Sequence, residues 1–134
     1  HMAGGGIRIN GATLYSLHLI PFIDRGGEFF ILKMDQFVHA FGFFMTALVA
    51  WYLLKPYLNK NANYKIIYPI VALIAIGAGV LNEIVEFIAV LVAKETGVGG
   101  YYNNLLDLIF NSIGAILAVV FILFYYRKNK NAKK

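Results

Sequence analysis

Three apolar runs, Gln36–Leu54, Ile66–Ala93 and Leu105–Tyr126, leave this chain few ways to fold; they hold 19, 28 and 22 residues. A helix needs roughly 20 apolar residues to cross about 30 Å of hydrocarbon. Strands of a transmembrane barrel would alternate strictly and would be about half this length. The composition agrees, with 60% hydrophobic and 14% charged residues, against about 45–50% and about 25% in soluble domains. The expected fold is all-α: a polytopic membrane protein with a bundle of three transmembrane helices. The expected spans are 35–54, 66–93 and 105–126 within a transmembrane domain over 35–126. An extracytoplasmic segment, 1–34, precedes it and a basic tail, 127–134, follows.

The charges between the runs set an orientation. The tail "RKNKNAKK" carries five positive charges and no acid, and the first link holds Lys55, Lys60 and Lys65, again without an acid. In the second link Lys94 is offset by Glu95. The positive-inside rule therefore puts the tail and the first link in the cytoplasm and the N-terminal segment and second link outside, in a multi-pass protein of the cell membrane. The tail is read as a topology signal that also touches anionic head groups. Nucleic-acid binding is not expected, because no reading platform accompanies the charge.

In the N-terminal segment, "IRINGATLY" alternates around Asn10-Gly11, a hairpin signal. "LYSLHLIPF" is too short to span and reads as an interfacial or re-entrant piece, with His18 at its surface. "HMAGGGIRIN" has no apolar h-region, so no cleavable signal peptide is expected. His1-Met2 is either a cloning remnant or native. The absence of cysteine excludes thiolate chemistry and disulfides. Trp51, Tyr52, Tyr57, Tyr64 and Tyr68 form an expected aromatic belt at the inner interface, answered outside by Tyr101 and Tyr102.

Each run carries its polar and small residues at steps of three and four, which keeps them on one helical face. On the first they are Asp35, His39, Gly42 and Thr46. On the second they are Ala75, Gly79, Asn82, Glu83 and Glu86, and on the third Asn104, Asp107, Asn111, Gly114 and Ala118. Small residues let helix backbones approach closely in lipid, so Gly42, Gly79 and Gly114 are expected at the helix contacts. At about 1.5 Å per residue, His39 and Asp107 lie roughly 3–6 Å from the outer boundary and Asn111 and Glu86 about 9–11 Å. Asn82 and Glu83 sit about one turn deeper. The expected pocket, Asp35, His39, Asn82, Glu83, Glu86, Asn104, Asp107 and Asn111, therefore lies in the outer half of the bundle.

That pocket gathers four carboxylates beside one histidine, and like charges do not all ionise at close range in a low dielectric. Three resolutions are open. The carboxyls keep protons and hydrogen-bond one another; or Arg8, Arg25, Lys33 and Lys94 fold in against them; or a divalent metal ion sits on Asp35, His39, Glu83, Glu86 and Asp107, a donor set that suits Mg²⁺, Mn²⁺, Zn²⁺ or Fe²⁺. An intramembrane carboxylate carries a functional presumption, whereas His39 or Asn111 alone would be ordinary interhelical glue. No ligand motif such as HExxH is present. Ser112 lacks a GxSxG context, so serine-hydrolase chemistry is not expected.

At these residues the chain resembles the VanZ-like family and, most closely, its uncharacterised YjdF-type membrane-protein relatives. "DQFVHAFGF", "LNEIVEF" and "NNLLDLIFNSIGA" follow the family's order over about residues 35–118: Asp-x-x-x-His, a glutamate pair, then Asp-x-x-x-Asn-x-x-Gly. VanZ-like proteins usually carry Gln where Glu86 stands, followed by an Arg in the outer loop. Here the position is Glu, and no Arg lies between Glu86 and Asp107, which favours the YjdF-type relatives over glycopeptide resistance. The resemblance implies a cell-envelope role and further N-terminal helices.

Three functions compete. The first is an envelope protein whose outer pocket binds a cation, or a lipid, lipid-linked or phosphate head group. If this is an enzyme, which the sequence does not decide, the reaction is metal-assisted hydrolysis or transfer with His39 or Glu86 as general base. The second is a structural subunit, packed with other membrane subunits or with copies of itself, whose polar stripe is interhelical packing. The third is a proton-coupled transport element using Glu83 and Glu86, against which stands the lack of polar residues below Asn82 apart from Thr46.

Overall fold

The computed structural model describes residues 7–9, 11–24, 30–59, 61–92 and 100–131. Its elements run β1 (Arg8–Ile9), β2 (Ala12–Thr13), β3 (His18–Asp24), β4 (Phe30–Lys33), α1 (Met34–Leu54), α2 (Tyr64–Val92) and α3 (Tyr101–Asn131), with short 3₁₀ turns at Leu14–Ser16 and Lys55–Tyr57. Among the described residues three helices are long and apolar enough to cross a membrane. Helices are the form expected of such segments, because each satisfies its own backbone hydrogen bonds where lipid offers none.

The N-terminal segment folds as two small antiparallel pairs. β1 pairs with β2 across a turn in which Gly11 has φ +86°, a conformation glycine adopts without a Cβ penalty. The stretch read as an interfacial or re-entrant piece folds as the 3₁₀ turn followed by β3, which pairs with β4. Pro21 lies inside β3 where the register shifts between His18 and Ile23; a proline offers the ladder no donor and is tolerated at such a break. The Met34 amide donates to the Leu17 carbonyl at 2.9 Å, tying the start of α1 to this segment.

α3 packs against both other helices and more extensively against α1 than against α2. Toward the Leu54 end of α1 the shared core is apolar and small: Ala47, Trp51, Val71, Ala75, Ala115, Ala118 and Ile122. Trp51 is part of this core, packed on the Tyr64 and Tyr68 rings. Its ring is nearly covered, whereas Tyr52 and Tyr57 are open.

Two of the three expected contact glycines have the expected surroundings. A Cβ on Gly114 would run into the backbone carbonyl of Ala40, so only glycine lets α3 lie this close to α1. A Cβ on Gly79 would stand 3.0–3.2 Å from the Asn111 side chain, so Gly79 makes room for that carboxamide. Gly42 is the correction. It is exposed, with nothing within 4 Å of a Cβ. The buried face of α1 runs instead through Asp35, Gln36, His39, Ala47 and Trp51.

Candidate polar site between the three helices

The end of the bundle opposite that apolar core buries Asp35, Gln36, His39, Glu83, Glu86, Asn103, Asp107 and Asn111. The helices supply these groups at steps of three or four residues: Asp35 and His39 from α1, Glu83 and Glu86 from α2, Asp107 and Asn111 from α3. Asn82 is half-buried and donates through Nδ2 to Glu86 Oε1 at 2.8 Å.

Three contacts tie the helices together. Asn103 Nδ2 donates to Asp35 Oδ2 at 3.0 Å and to Asp107 Oδ2 at 2.7 Å, joining α3 to α1. His39 Nδ1 and Asn111 Oδ1 are 2.9 Å apart. Asn111 Nδ2 reaches Glu83 Oε1 on α2 at 3.4 Å. With its amide nitrogen on a carboxylate, Asn111 turns its oxygen to the imidazole, and that oxygen only accepts. In its neutral form the His39 ring then carries its proton on Nδ1. Its Nε2 lone pair points to the aspartate side, 3.8 Å from Asp35 Oδ1, while Nδ1 is 3.5 Å from Glu83 Oε1.

Carboxamides thus hold one oxygen of every carboxylate in the group. Asn103 holds both aspartates, Asn82 holds Glu86 and Asn111 holds Glu83. Two of the opposite oxygens, Asp107 Oδ1 and Glu83 Oε2, are buried with no hydrogen-bond partner among the described residues. A buried charge without compensation costs several kcal/mol as an order of magnitude. The side chains form two overlapping ligand groups, Asp35–His39–Asp107 and His39–Glu83–Glu86, each with its ligand atoms within 4.8 Å of one another.

Of the basic groups considered from the sequence, Lys33 is half-buried at the head of α1 and acts electrostatically on Asp107. Arg25 and Lys94 lie outside the described residues, as does the side chain of Arg8. Asn104, expected in the pocket, is only half-buried and its backbone amide donates to the Gly100 carbonyl; Asn103 takes the place in the network. The sequence carries a signal for this, because Asn82–Glu86 and Asn103–Asp107 are both Asn-x-x-x-acid pairs, and side chains four apart meet on a helix.

Gln36 was given no role from sequence and is fully buried. Its Oε1 accepts from the Leu32 and Lys33 amides at 2.6 and 3.1 Å, capping α1 where Leu32 has φ +81°. The Ser112 Oγ donates to the Leu108 carbonyl of its own helix at 2.9 Å. Chemically, the arrangement is a hydrogen-bonded set of largely buried carboxyl groups and one imidazole between three helices, a donor set that divalent cations accept.

Comparison with protein families gives one decisive match. The family model described as "Predicted membrane protein (DUF2238)" matches residues 3–128. The chain belongs to this family. Neither the comparison with curated proteins nor that with solved structures returned a match. The family description of this DUF2238 chain is coarser than the resemblance to VanZ-like and YjdF-type proteins, and it states membrane residence without an activity.

Proposed function

We propose that this DUF2238 protein binds a divalent cation within its helix bundle, on Asp35, His39 and Asp107. The observation that carries the reading is Asp107 Oδ1. It belongs to a fully buried side chain and has no hydrogen-bond partner among the described residues, and the Asp107 carboxylate shares a ligand group with His39 and Asp35. Ligands bonded at about 2.0–2.2 Å to one ion lie up to about 4.4 Å apart, so the group closes on an ion with small side-chain adjustments. Asn103, gripping both aspartates, and Asn111, fixing the imidazole tautomer, are the outer hydrogen bonds that such a centre needs.

Among the described residues, four carboxyl groups face one imidazole and the Lys33 ammonium, and a divalent ion would offset an excess of negative charge there. The positive-inside rule places this end of the bundle outside the cytoplasm, in keeping with the envelope role that the VanZ-like, YjdF-type resemblance implies. A phosphate or lipid head group is then a further ligand of the bound ion. The apolar core beyond the site argues against a polar path across the membrane and so against transport. Packing alone is the competing reading, favoured by the hydrogen bonds that link all three helices.

The test is metal content by mass spectrometry on detergent-purified protein, loaded with Mn²⁺ and desalted, beside Asp107→Asn. Near-stoichiometric metal in the wild type and a large loss in the variant is the expected result. Metal-free protein that folds like the variant would overturn the proposal and leave the network as packing.

A further inference from the structure

We infer that the bundle holds a second divalent cation, on Glu83 and Glu86, so that two ions lie on either side of the His39 ring. The inference rests on the cation reading above and extends it. Its first support is that each half of the site has its own unserved oxygen. Asp107 Oδ1 belongs to the aspartate half and Glu83 Oε2 to the glutamate half, and both are buried without a hydrogen-bond partner among the described residues. A single ion serves one of them. Asp107 groups with Asp35 and His39, whereas Glu83 groups with Glu86 and His39, so the His39 ring stands between the two halves.

The second support is the pattern of carboxamides. Asn82 fixes Glu86 Oε1 and Asn111 fixes Glu83 Oε1, just as Asn103 fixes the two aspartates. The glutamate pair is therefore oriented in the same manner as the aspartate pair and does not merely fill space. Asn111 serves both halves, since its oxygen holds the Nδ1 proton of His39 while its nitrogen holds Glu83. Glu83 is 5% exposed and Glu86 7%, so both are largely withdrawn from water.

The two positions differ in chemistry. With the Nδ1 proton committed to Asn111, the ring gives its lone pair to the aspartate position, which offers nitrogen and oxygen donors. The glutamate position is left with oxygen donors. Imidazole suits Zn²⁺, and oxygen-only sets suit Mg²⁺ and Mn²⁺. Mn²⁺ is compatible with both positions and is the probe of choice.

The experiment is a Mn²⁺ titration of the detergent-purified full chain, followed by electron paramagnetic resonance. The expected result is two ions per chain, with a bound spectrum broadened by coupling between neighbouring spins. In the Glu83→Gln/Glu86→Gln double variant the stoichiometry falls to one and an isolated six-line spectrum returns. One ion in the wild type would overturn this inference and leave the single-cation reading standing, whereas none would overturn both. Two ions persisting in the double variant would place the second elsewhere and also overturn it. A readout on the wild type alone covers a variant that fails to fold. One equivalent of Zn²⁺ should displace the ion on Asp35, His39 and Asp107 and leave one uncoupled Mn²⁺; release of both ions together would refute two unlike positions.

Discussion

Asn103 and Asn104 are neighbours of the same type, and the structure separates them. Asn103 is buried and donates to two carboxylates on two helices, while Asn104 is only half-buried. If Asn103 orients the aspartates for an ion, Asn103→Ala should weaken Mn²⁺ binding by about 10–100-fold, the usual effect of losing an outer-shell partner. Asn104→Ala should leave the affinity unchanged. Isothermal titration of both variants checks this, and equal losses would mean the network is not a ligand scaffold. The acids and His39 were legible from sequence because a charge inside an apolar run stands out. The carboxamides were less so, because steps of three and four share a face and both asparagines fit before Asp107. Gln36 was missed for another reason: its task, capping amides of a leucine in the left-handed region, depends on a backbone conformation that no residue type announces.

At the level of the helices, lipid explains both what could be read and what could not. Length and hydropathy identify a membrane helix without any partner, so the three apolar runs were visible at once. Which face turns inward is harder to read, since apolar side chains cover the lipid face as readily as the core, and α1 shows this at Gly42. Gly114 and Gly42 therefore make a matched pair. Gly114→Ala puts a methyl group into the Ala40 carbonyl, and backbone on one side cannot yield as a side chain does. The expected cost is about 3 kcal/mol, the upper end for overpacking. Gly42→Ala meets open space and should change stability by no more than about 0.5–1 kcal/mol, in the stabilising direction through helix propensity. Denaturation of the two variants in mixed micelles with increasing SDS measures the difference. Equal effects would mean that α1 and α3 do not meet along this line.

For the molecule as a whole, the proposal has a direction, because a cation site near one end of the bundle serves whichever side that end faces. The charges argue for an external site: Lys55 and Lys65 flank the link between α1 and α2, and Asp35 stands at the opposite end of α1. Juxtamembrane basic residues are retained on the cytoplasmic side. The chain has no cysteine, so single introduced thiols report location without background. Ser16 in the N-terminal segment and Asn61 in the first link are both exposed and suit this use. In intact bacterial cells, a membrane-impermeant maleimide should label Ser16→Cys, while Asn61→Cys should react only after the membrane is opened. The opposite pattern would put the carboxylate site on the cytoplasmic side and remove the envelope reading, without touching the cation chemistry. If both thiols react only after lysis, α1 does not carry the chain across the membrane, and the three-span topology falls with it.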